Sequence, residues 1–126
     1  MLENYCNAFI EKSNENYKLY EFLKSNGAFI DWQIVSIFYS ALCLAKAYLY
    51  SKNIPLNSIN SHDNIKYYLA TETNAKRSNV LLYYNNLYRN SRDARYTTKK
   101  MTQGRLNTCL IDYVKVKELL KITFDD

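Results

Sequence analysis

The sequence predicts an all-α fold: a four- to five-helix up-and-down bundle forming a single domain over residues 1–126. Three observations predict it. The chain of 126 residues has only two glycines and one proline, too few for the turns of a strand-rich or loop-rich scaffold. Its hydrophobic fraction is 48%, which at this length builds a core without disulfide or metal staples. Apolar residues also recur at three- and four-residue steps in successive segments, the spacing of one helix face.

The first segment, roughly 3–25, places Tyr5, Phe9, Tyr20 and Leu23 near one face and is expected to end at Gly27. Its middle, "EKSNEN", is polar all round, so the centre of that helix is expected to be exposed or frayed. The second, "DWQIVSIFYSALCLAKAYLYS", is the strongest helix. Asp31 is its expected N-cap, and Ile34, Phe38, Ala41, Ala45, Tyr48 and Leu49 face the core. Ser36, Cys43 and Ala47 lie opposite and are weakly polar. The helix is therefore covered on more than one side, either at the centre of a bundle or at a subunit contact. Residues 53–60 read as a loop around Pro55.

The third segment, "SHDNIKYYLATE", takes Ser61 as N-cap, Asp63 at the positive end of the helix dipole, and Ile65, Tyr68 and Leu69 inward. The fourth runs from about Ser78 towards Lys100, with Gly104 as its stop. Val80, Tyr84, Leu87, Ser91 and Ala94 make its inner stripe, and Tyr88, Arg92, Arg95 and Lys99 the stripe beside it. In the last segment Val114-Lys115-Val116-Lys117 alternates like a strand. With no partner strand in the sequence, it too is read as a helix.

Cys6, Cys43 and Cys109 are odd in number and form no CxxC pair. They suggest neither a zinc site nor a disulfide framework, and are read as reduced thiols in a cytoplasmic protein. No cofactor is implied. The N-terminal stretch lacks the basic and long apolar regions of a signal peptide, and no continuous apolar run of about 18 residues suggests a membrane span.

The charge is uneven. Residues 76–105 hold eight bases (Lys76, Arg77, Arg89, Arg92, Arg95, Lys99, Lys100, Arg105) against one acid, Asp93, whereas the remainder holds nine bases and eleven acids. Such a concentrated positive patch attracts phosphates or an acidic partner. Within it, "LYRNSRDARYTTKK" interleaves tyrosines with bases, and aromatic rings among cations suit single-stranded RNA.

Asp31-Trp32, Tyr39-Ser40-Ala41-Leu42, His62, Tyr84, Leu87 and Ser91-Arg92-x-Ala94-Arg95-Tyr96 occur in that order, across a proline loop. Over about residues 28–100 the chain thereby resembles the HEPN domain family (higher eukaryotes and prokaryotes nucleotide-binding). The resemblance implies a four- or five-helix bundle, often a homodimer. It also implies a setting in RNA cleavage, toxin–antitoxin pairs, phage defence or nucleotide-linked regulation. Ribonuclease members carry an Arg followed at a short helical step by a His. Here no His follows Arg89, Arg92 or Arg95, and Cys43 stands where many relatives have a further His.

The expected function is therefore a non-catalytic HEPN-like binding or regulatory module. Its basic surface would engage RNA, a nucleotide or an acidic protein partner, with Tyr39, Tyr88, Arg89, Tyr96 and Lys99 contacting the ligand. The alternative is a divergent ribonuclease. In it His62, the only histidine, would move the proton. Arg92 and Arg95 would stabilise the phosphorane, and Tyr96 or Tyr39 would position a proton. A plainer role for the two arginines is to pair with Asp31 or Asp63, and most tyrosines are expected to pack in or beside the core. Lys99, Lys100 and Arg105 are expected at the end of the fourth helix, complementing its dipole.

Overall fold

A computed structural model describes residues 2–27, 29–72 and 80–120. Among them the chain forms five helices and no strand: α1 (Leu2–Ser25), α2 (Ile30–Ser51), α3 (His62–Glu72), α4 (Val80–Tyr96) and α5 (Gln103–Leu119). A single 3-10 turn, Leu56–Ser58, follows Pro55 in the loop before α3. Lys76, Arg77 and Ser78 lie outside the described residues.

α2 sits at the centre and packs against all four other helices. Ile34, Ile37, Ala41, Ala45, Ala47 and Leu49 are all fully buried. The weakly polar side that carries Ser36, Cys43 and Ala47 is buried as well. Of the two coverings the sequence allows, the central one is found, and it no longer requires a second subunit. α2 is long and apolar enough to cross a membrane by length and composition, but 67% of that stretch is buried inside the bundle. It is the core helix.

α1 lies antiparallel on α2, since Cys6 reaches the Ala47 carbonyl at one end and Ser13 reaches Ser40 further along. The centre of α1 is exposed at Glu11, Lys12, Asn14 and Glu15, as expected, but the helix is continuous there. The exception is Ser13, inside "EKSNEN", which is 1% exposed. Its Oγ donates to the Ser40 carbonyl (2.8 Å) and lies 2.9 Å from the Ser40 Oγ. The Ser40 Oγ in turn donates to the Ser13 carbonyl (2.8 Å) and meets the Tyr113 hydroxyl of α5 (2.7 Å). Two small hydroxyl residues facing each other let the helices close up, and each satisfies the other. Tyr113 also stacks on Tyr17 of α1 (5.4 Å, 15°).

Helix ends show where the sequence reading needs correction. Gly27 does close α1, at φ 67, where a Cβ would be strained. Asp31 is not a cap. α2 begins one residue earlier, after a left-handed Phe29 (φ 64) with no side-chain cap, so Asp31 falls within the first turn. There its charge complements the dipole. Ser61 does cap α3, accepting from the Asn64 amide (3.2 Å).

Gly104 does not stop α4. That helix ends at Tyr96, where the Thr97 hydroxyl donates to the Asp93 carbonyl (2.7 Å) alongside the longer bond from its own amide (3.3 Å) and accepts from the Lys99 amide (3.2 Å). Gly104 lies in the first turn of α5, behind the Thr102 cap, whose hydroxyl accepts from the Arg105 amide (3.2 Å). Lys99 and Lys100 are therefore in the connection after α4. Arg105 is not at the end of α4 either. It opens α5 and pairs with Asp93 of α4 (2.9 Å) while its Nε donates to Asn90 (2.9 Å). The alternating valines of the last segment are helical: Val116 is buried and Val114 is half exposed.

Candidate nucleic-acid interface

α2, the start of α3 and the last turns of α4 frame a cleft of about 240 Å³. Its lining includes Tyr39, Leu42 and Lys46 from α2, His62 from α3, and Tyr88, Arg92, Arg95 and Tyr96 from α4. The capped start of α3 fixes the imidazole. His62 Nδ1 lies 3.0 Å from the Tyr84 hydroxyl, and its ring stacks on Tyr88 with centroids 3.4 Å apart and planes at 21°. The edge of Phe38 closes another side at 6.0 Å.

Burial, then the charge of Lys66, and more weakly Arg92 and Arg95, pull His62 down to about 4, against a smaller opposing effect of Asp63. The ring is thus neutral near pH 7. Burial pushes the Tyr84 phenol well above its ordinary range, so it too stays protonated. A Tyr84 hydroxyl that donates to Nδ1 places the ring proton on Nε2. Nε2 is itself buried and has no hydrogen-bond partner among the described residues.

The depressed His62 has a sign that can be checked. Between its unfolded value of 6.5 and the folded value of about 4, the unfolded chain binds a proton that the folded ring does not. Stability is therefore lost as pH falls through that window. Urea midpoints compared at about pH 7 and about pH 5 should fall further for the wild type than for His62→Gln. An equal fall in the two proteins would contradict the burial of this imidazole.

The guanidiniums are held by tyrosines. Arg95 Nη1 donates to the Tyr39 hydroxyl (3.0 Å) and more weakly to Tyr96 (3.4 Å), and its Nε donates to the Ser91 carbonyl (3.3 Å). Its carbon centre lies 4.8 Å over the Tyr96 ring and 5.6 Å over Tyr39. Arg92 donates to the Tyr88 hydroxyl (3.1 Å) and lies over Tyr88 and Tyr96. The carboxylate pairing weighed for these arginines, with Asp31 or Asp63, is not what holds them. Among the described residues the ion pair is Arg105–Asp93. Rings and hydroxyls orient a guanidinium without cancelling its charge.

Six of the sequence-derived residues thus come together: Tyr39, His62, Tyr88, Arg92, Arg95 and Tyr96. Two do not. Arg89 is exposed on α4 outside the cleft lining, and Lys99 lies past the end of the helix, also exposed. Three residues that the sequence did not single out as site residues lie at the cleft, Tyr84 having been read as core. Tyr84 fixes the imidazole, Lys66 lies 6.0 Å over the Tyr88 ring, and Lys46 lines the cleft. Lys46 had a signal, being two helical turns beyond Tyr39 and so on the same face.

All three thiols are buried and free. Burial raises each of them, Cys109 to about 12, which makes them poor nucleophiles. No family model matches the chain, and neither a curated protein nor a solved structure matches it.

Proposed function

We propose that this chain is a non-catalytic, HEPN-like binding module whose cleft between α2, α3 and α4 holds single-stranded RNA. The observation that carries the reading is the lining itself. Two guanidiniums, one ammonium and several tyrosine rings converge there, and no carboxylate is among them. Cations attract the phosphates and the rings offer stacking faces to unpaired bases. Association with a toxin–antitoxin or phage-defence system would follow from the HEPN resemblance alone.

The site chemistry favours holding RNA over cutting it. Proton transfer near neutrality wants a group that titrates there, whereas His62 is drawn down to about 4 with its Nδ1 committed to Tyr84. No second imidazole exists to complement it.

The test is fluorescence anisotropy of a labelled single-stranded RNA across a salt series. If about three cations meet phosphates, log K should fall with log salt at a slope of about −2. The RNA should be recovered intact, with wild type and with His62→Ala alike. Absence of binding would overturn the reading, and capture of an acidic protein instead would move it to a protein partner. Cleavage that disappears in His62→Ala would install the ribonuclease in its place.

A further inference from the structure

A second cavity, of about 340 Å³, opens on the α1–α2 face. It shares Tyr39, Leu42 and Lys46 with the cleft around His62, so the two are adjoining compartments of one surface. We propose that the two compartments form one path for a single-stranded oligonucleotide, with one phosphate at Arg92 and Arg95, a base across Tyr39 and Leu42, and the next phosphate at Lys12. The proposal rests on the RNA reading above and adds to it the length and course of the ligand.

Size is the first argument. At about 240 Å³ the His62 cleft lies below the roughly 300–1,000 Å³ of sites that enclose a whole small molecule. It suits a phosphate with part of a sugar. The remainder of a ligand seated there must leave the cleft, and the joined compartment is the opening lined by apolar and aromatic side chains. Phe9, Leu42 and Tyr5 supply that lining, and Tyr5 is 50% exposed with its ring edge against Tyr50.

The order of chemistry along the surface is the second. Guanidiniums stand at one end, Lys46 at the junction and exposed Lys12 in the far compartment, with rings and Leu42 between them. Neither lining contains a carboxylate. A mononucleotide has one anionic end and would leave Lys12 unused. A polynucleotide repeats phosphate, base, phosphate, and so matches cation, ring, cation.

The experiment compares adenosine 5′-monophosphate with a short oligoadenylate of about four nucleotides by calorimetry. It uses the wild type, Lys12→Glu, the control Lys18→Glu and Arg95→Ala. Lys18 is an exposed residue of α1 that lines neither compartment, so its reversal reports the effect of net charge alone. The oligonucleotide should bind at least about tenfold tighter than the mononucleotide. Lys12→Glu should weaken the oligonucleotide by about tenfold and by more than Lys18→Glu does, while affecting the mononucleotide no more than Lys18→Glu does. Equal effects of the two reversals, or equal affinity for the two ligands, would overturn the path. If Arg95→Ala still weakened binding in that case, the RNA reading itself would survive. Failure of the wild type to bind either ligand would remove the RNA reading and the path with it.

Discussion

Arg95→Ala is expected to weaken RNA binding about tenfold to a hundredfold, the equivalent of losing a charged hydrogen bond worth about 1.5–3 kcal/mol. Arg92→Ala should cost only a few-fold. The difference lies in how the two groups are held. Arg95 is partly buried and fixed by two tyrosine hydroxyls and the Ser91 carbonyl. Arg92 is exposed and has the Tyr88 hydroxyl. A fixed group loses less freedom when a phosphate arrives. Arg95→Lys should recover only part of the loss, because an ammonium keeps the charge but not the planar fork. Tyr39→Phe should fall between wild type and Arg95→Ala, since it releases the guanidinium without removing it. Anisotropy titrations at one fixed salt concentration check the series. Equal losses for Arg92→Ala and Arg95→Ala would show that net charge, rather than placement, governs the site.

Ser40→Ala should lower the unfolding free energy by about 2–3 kcal/mol. The substitution removes few atoms, so cavity formation is a minor part. The larger part is what it strands. The Tyr113 hydroxyl meets the Ser40 Oγ at 2.7 Å, and Tyr113 is only 4% exposed, so water does not readily replace the lost partner. An unsatisfied buried hydroxyl costs about 1–3 kcal/mol, to which the lost bond to the Ser13 carbonyl adds. Tyr113→Phe made in the Ser40→Ala background should then recover part of the loss, because it removes the hydroxyl that the first substitution stranded. Urea unfolding of the four proteins of this cycle measures the coupling directly. If the two single losses simply added up, the hydroxyls would not be acting as one network.

The fold was legible where one element decides its own fate. The apolar face of α2 and the stripe from Val80 to Ser91 follow from helical spacing alone, and they are buried as that spacing requires. The same spacing put Tyr88, Arg92 and Arg95 beside the buried stripe. Contacts between segments were not legible. Ser13 reads as a polar residue in a polar run, and only the opposing Ser40 makes its burial favourable. The grip of Tyr84 on His62 joins residues on different helices, and no spacing encodes it. Lys99 was misplaced for a local reason: α4 ends at Tyr96, before the charge pattern does, and the Lys99 amide bonds the Thr97 side chain instead of a helical carbonyl.

The connection between α1 and α2 carries a kinetic consequence. Among the described residues these two helices pack along each other more extensively than any other pair, yet only residues 26–29 separate them. The entropy lost in closing so short a chain is small, so this pair of helices can form early and cheaply during folding. The cleft, by contrast, also needs α4 brought to α2, where Tyr39 and Arg95 meet across 56 positions of the sequence. The cleft is therefore expected to be completed after that helical hairpin, because its helices are joined through longer stretches of chain.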